Sequence, residues 1–217
     1  MKAQLSIQEL QNEANIFANA ESQHKEPALF GVTDGKAIGT YLEHKFQAYL
    51  HTKYTYVEGS SAKGIDFPRL MVDMKVTKIT QPQSSCPFKS ARQKIFGLGY
   101  SLLVFVYDKI DDQSAKTGSL NIKHTIYVDS SRTADFQTTS GIVSIINNQG
   151  NRDDLLAFFA ERMSPVDEIE AVRIADELLE KKPEIGYLTI SNALQWRLQY
   201  ARVIEKAGAV GGINRVK

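Results

Sequence analysis

Between residues 70 and 79 the apolar side chains Leu70, Val72, Met74 and Val76 alternate with polar ones. A period of two marks a strand with one buried face. Asp73 and Lys75 fall on its opposite face, and Asp66 lies just upstream in IDFP, a short extended piece because the residue before a proline disfavours the helical region. Toward the N-terminus the period lengthens. Residues 5–23 read as a polar amphipathic helix, and a second helix spans 34–51. There Ile38, Leu42, Phe46, Tyr49 and Leu50 recur at helical spacing, with Glu43 at the border of the stripe. KYTYVEG (53–59) alternates as a strand and GSSAKG (59–64) is turn chemistry. Residues 81–87 read as a loop and 88–100 as a helix broken by glycines. The apolar run 101–109 has the pattern of a strand buried on both faces. After a polar loop, residues 120–130 alternate again.

Beyond residue 131 the pattern predicts helices: 152–163, a second beginning at Ser164 with Pro165 at N1 and Asp167 at N3 and ending near Lys182, and a third over 191–207, capped by Ser191 and stopped by Gly208. The predicted fold class is α/β. A mixed central β-sheet flanked by helices, with an αβββαβ order up to residue 109, precedes a helical C-terminal part. The expected division is a core over 1–150 and a helical subdomain over 151–217.

Charge adds a hint. The net charge of the 217-residue chain is only +1, but residues 60–109 hold eight Lys/Arg against three Asp/Glu, and 181–217 hold seven against two. Two basic segments suit a polyanion, although fluctuation in a near-neutral chain produces the same numbers. No apolar run reaches the roughly 18 residues a membrane helix needs, and the N-terminus lacks a secretory h-region. Cys86 is the single cysteine, which excludes an internal disulfide and argues for a reducing, cytoplasmic location. It has no evident activating partner, and His24, His44, His51 and His124 show no ligand spacing.

The charged face of the 70–79 strand carries the chemistry. Asp73 and Lys75 share a face, and Asp66 lies opposite Asp73 if the two extended pieces pair. Converging carboxylates repel unless a cation sits between them, and all-oxygen ligation suits a hard ion such as Mg²⁺. An ion of that kind lowers the pKa of bound water and neutralises phosphate charge, and a nearby Lys75 holds the water. Phosphodiester hydrolysis needs these elements and no organic cofactor.

These residues resemble a known motif. IDFPRLMVDMK (65–75) is similar to the active-site signature of the PD-(D/E)xK nucleases, and the αβββαβ order matches their core. Here the proline follows the first aspartate instead of preceding it. The short spacing of the two acids is similar to that of methyl-directed mismatch-repair nicking endonucleases and their restriction relatives. The resemblance, which covers residues 34–109, implies that Asp66 and Asp73 bind Mg²⁺, that Lys75 positions water, and that Glu43 on the preceding helix assists as a further ligand. In size and layout it is closest to type II restriction endonucleases. It therefore implies sequence-specific, Mg²⁺-dependent cleavage of double-stranded DNA, normally by a homodimer, since a palindromic site suits a two-fold assembly. A repair or junction-resolving nuclease on the same core and a non-catalytic DNA-binding regulator are the alternatives.

Candidate DNA contacts follow the catalytic strand. Gln81, Gln83, Ser84, Ser85, Lys89, Ser90, Arg92, Gln93 and Lys94 all carry groups suited to phosphates or base edges. In the predicted 191–207 helix, Gln195, Gln199, Arg202 and Lys206 form a polar and basic stripe opposite Leu194, Leu198, Ala201 and Ile204. That stripe is faintly similar to a winged-helix recognition helix and suits a major groove. The other reading is a helix packed on the core or a twin subunit, with Trp196 and Tyr200 as anchors.

Overall fold

The computed structural model describes the whole chain except Met1, residues 60–63, Lys89, 163–165 and 192–196. In chain order its elements are β1 (Ala3–Gln4), α1 (Ile7–Glu21), α2 (Gly35–Lys53), β2 (Tyr54–Thr55), β3 (Val72–Lys78), β4 (Gln83–Ser85), α3 (Ala91–Phe96), β5 (Ser101–Asp112), β6 (Thr117–Val128), α4 (Phe136–Asn147), α5 (Arg152–Glu161), α6 (Glu168–Glu180), β7 (Thr189–Ser191), β8 (Arg197–Gln199), α7 (Ala201–Lys206) and β9 (Ile213–Arg215). The α/β class and the mixed central sheet agree with the sequence pattern.

The central sheet runs β3-β5-β6-β9, with β3 parallel to β5 and the other pairs antiparallel. The apolar run that opens β5 is buried on both faces. Leu103, Phe105 and Tyr107 meet α1 and α2, where Phe46 lies 5.0 Å from Phe17 and 5.3 Å from Phe105 between ring centres. Leu102, Val104 and Val106 face the opposite way, toward Leu188, Ile190, Leu198 and Tyr200. That second layer contains a three-stranded sheet in the order β4-β8-β7. A third cluster joins α3 to α4, α5 and α6 through Ile95, Ile142, Leu155, Phe159, Ile174 and Leu178.

Several expected elements are different. The 53–59 strand shrinks to β2, which pairs with β1. The loop over 81–87 contains β4, and the 88–100 helix is only α3, because Gly97 ends it with φ +90 where a Cβ would meet Thr133 Oγ1 at 2.8 Å. The polar stretch after residue 109 belongs to a long β5–β6 hairpin in which Asp112 pairs with Thr117. The helix expected from Ser164 is capped instead by Asp167, whose side chain accepts from Glu170 N, while Ser164 and Pro165 lie outside the described residues.

The largest difference is the 191–207 helix. It is replaced by β7, β8 and the short α7. Leu198 is fully buried while its neighbours Arg197 and Gln199 are half-exposed, so the local period is two. Pairing with β4 and β7 on either side satisfies the β8 backbone. The stripe Gln195–Gln199–Arg202–Lys206 therefore does not form one helical face, and Gln195 and Trp196 lie outside the described residues. The end of the chain returns to the central sheet as β9.

Candidate active site

Among the described residues β3 is an edge strand, with β5 on one side. A tight reversal precedes it. Phe67 N donates to Val72 O at 2.9 Å and Val72 N returns the bond at 3.3 Å, with Met71 at φ +53 in the turn. Phe67 and Val72 thus form an antiparallel bridge, and the reversal brings Asp66 alongside Asp73. Asp66 Oδ2 accepts from Met74 N at 2.7 Å, so this carboxylate satisfies a backbone donor on the open edge of the strand. The loop carrying Asp66 also depends on Gly59. Its N–H donates to Asp66 O at 2.9 Å, and a Cβ there would sit 1.7 Å from Ile65 O.

Asp73 is only 4% exposed. Lys75 Nζ lies 2.7 Å from its Oδ2, which compensates an otherwise isolated buried charge. The Asp73 carboxyl is pushed up to about 6, chiefly by burial, with Lys75 opposing the shift and hydrogen bonding to Asp66 adding to it. Glu43 reaches this group from α2. Burial, and then the negative charge of Asp66, push its carboxyl up to about 7. Lys75 works against that shift and Asp73 with it. The four residues therefore form one electrostatic unit drawn from a helix, a turn and a strand.

A cleft of about 680 Å³ opens beside them, lined in part by Glu43, Lys75, Thr77, Gln81, Gln83, Ser84 and Ser85. Lys36, Lys78 and Arg197 add positive charge to its walls. The buried Thr77 hydroxyl accepts from Gln83 N at 2.8 Å, which ties β4 to β3. Ser84 Oγ meets the buried Tyr200 hydroxyl at 2.7 Å. Burial raises the pKa of Tyr100 to about 12 and also raises that of Tyr200, and Asp73 adds to both shifts.

Other expected contacts lie elsewhere. Arg92 pairs with Glu177 at 2.8 Å and Glu170 at 3.5 Å and stacks on Phe96, so it binds α3 to α6. Lys94 is buried at 5% exposure, and burial lowers its pKa. Ser90 caps α3 by accepting from Gln93 N at 3.4 Å. The Arg202 guanidinium lies 3.6 Å above the Phe136 ring. Gln199 stands opposite Gln83 across the β4–β8 pair. Lys89 and Gln195 lie outside the described residues.

The profile of the family described as "Type II restriction enzyme NspV" matches residues 4–215 of this chain. The Type II restriction enzyme NspV of Nostoc sp. (strain ATCC 29411 / PCC 7524) is 66% identical over 212 residues, covering 98% of this chain and 96% of that protein. The chain belongs to the NspV family of type II restriction enzymes. No solved structure matches it.

Type II restriction enzymes generally use a divalent metal ion, and the donors of this NspV-family chain fit one. Among the described residues no three His, Cys, Asp or Glu side chains form a ready cage. Asp66 and Asp73 nevertheless offer paired hard oxygens beside a cleft, and Mg²⁺-type sites commonly use one or two carboxylates with water and substrate phosphate. Pattern reasoning missed Thr77, although it continues the same-face series Asp73, Lys75, Thr77. It also missed Arg197, which was hidden inside a helix that does not form.

Two outcomes follow. Gly59→Ala is expected to cost about 1–3 kcal/mol in urea unfolding and to displace Asp66, reducing DNA cleavage along with stability. The folded-state pKa values of Glu43 and Asp73 lie above their ordinary values, so the metal-free folded protein holds extra protons in mildly acid solution and loses stability as pH rises through about 6 to 7. Glu43→Gln is therefore expected to raise the melting temperature in EDTA at roughly pH 8 by about 2 °C and to leave it unchanged near pH 5. An equal shift at both values would contradict the assignment.

Proposed function

We infer that this chain hydrolyses phosphodiester bonds of double-stranded DNA at a specific short sequence, with Mg²⁺ as its metal ion and the cleft beside β3 as its active site. As a member of the NspV family it is a type II restriction enzyme, a site-specific deoxyribonuclease. The supporting observation is the Asp66–Asp73 pair on the open edge of β3, with Lys75 2.7 Å from Asp73.

In this reading Asp66 and Asp73 hold the ion, with Glu43 as a further ligand. When bound, Mg²⁺ supplies a Lewis acid that lowers the pKa of water and offsets phosphate charge. Lys75 orients the attacking water and donates to the anionic phosphate. Lys36, Lys78 and Arg197 attract the duplex, while Gln81, Gln83 and Ser85 supply hydrogen bonds along the same wall. Residues 1–150 then carry the chemistry, and 151–217 complete the cleft by contributing β8. A homodimer presents one such cleft to each strand of a palindromic site.

Asp73→Ala is expected to reduce Mg²⁺-dependent cleavage of plasmid DNA at least about 100-fold while retaining duplex binding, and EDTA is expected to stop the wild type. Wild-type cutting by that variant would overturn the assignment.

A further inference from the structure

We propose that Arg197 is a specificity-determining residue that reads the major-groove edge of a guanine from β8, and that Thr77 positions it relative to Lys75. The proposal rests on the reading of the cleft as the DNA site.

β8 is the middle strand of the antiparallel sheet β4-β8-β7, and β4 is its neighbour on the side of the cleft. Their register sets Gln83 opposite Gln199 and Ser85 opposite Arg197. Directly opposed residues, and residues two apart, share a face of a sheet. Gln83, Ser85, Arg197 and Gln199 therefore lie on one face, and three of the four line the cleft that contains Lys75. The opposite face is anchored, with Leu198 fully buried and Ser84 held by Tyr200. The outward face combines the guanidinium fork that matches guanine O6 and N7 with amides that match adenine. It lies beside the reacting centre.

Its register on that centre is fixed through one side chain. Thr77 sits two residues beyond Lys75 on the same face of β3 and is buried. Its hydroxyl accepts from Gln83 N at 2.8 Å and lies 3.1 Å from Gln83 O, holding the first residue of β4. A shift of β4 and β8 along β3 would move the proposed base contacts relative to Lys75.

The test uses the full-length enzyme with Ca²⁺ replacing Mg²⁺, on duplexes shown by gel to remain intact. One duplex contains the cut sequence mapped with the wild type, and a second has the same bases scrambled. For Arg197→Ala and Arg197→Lys, the preference for the cut-site duplex is expected to fall about tenfold or more, with affinity for the scrambled duplex within about twofold. Replacing guanines singly by 7-deazaguanine is expected to weaken wild-type binding at one position and to leave Arg197→Ala binding unchanged there. Thr77→Val is expected to lower the preference as well, and Thr77→Ser to restore it. An unchanged preference, or an equal loss on both duplexes with a shallower salt dependence, would overturn the proposal, the second outcome marking a phosphate contact. Thr77→Val indistinguishable from wild type would overturn the positioning role. If the wild type itself bound both duplexes alike, the reading of the cleft would fall first.

Discussion

The proposed chemistry depends on two carboxyl groups held together at β3, an edge strand among the described residues. Asp73 is buried, which on its own is costly for a charge. Asp66 should make matters worse, because it brings a second acid beside the first. The fold accepts the arrangement because each acid has another partner. Asp66 takes the Met74 N–H that the edge of β3 would otherwise leave open, and Asp73 takes Lys75. Burial first, and the neighbouring acids after it, raise the carboxyls of Asp73 and Glu43. In the proposed reading, a divalent cation held by Asp66 and Asp73 would offset their negative charge.

The scaffold around the pair is organised by β5. Its doubly buried apolar run supports α2 on one face and the small sheet on the other. Glu43 therefore reaches the site from one layer, while Gln83 and Arg197 approach it from the layer opposite. The central strand joins the chemistry to the proposed reading surface, and β3 carries residues that touch both: Lys75 and, one same-face position later, Thr77.

The grouping of the candidate residues was legible because it rests on local periodicity. Alternation along 70–79 separates Asp73 and Lys75 from Val72 and Met74, and the helical stripe of α2 places Glu43 at its edge. The opposite wall of the cleft was not legible. Leu194, Leu198, Ala201 and Ile204 satisfy a helical period, and a three-residue strand is too short to show its own. What decides for β8 is pairing with β4, more than a hundred residues earlier, which a local pattern does not contain. Arg92 and Lys94 show the same limit. Their side-chain chemistry suits phosphate, but Glu170 and Glu177 on a distant helix claim the first and burial claims the second.

The most direct test of the central claim is crystallographic. Crystals of the protein soaked in Mn²⁺ and measured for anomalous scattering should show a peak bridging Asp66 and Asp73, with oxygens of both at about 2.2 Å. A saturating soak with no peak there, or with the ion bound elsewhere and both carboxylates unliganded, would contradict the account.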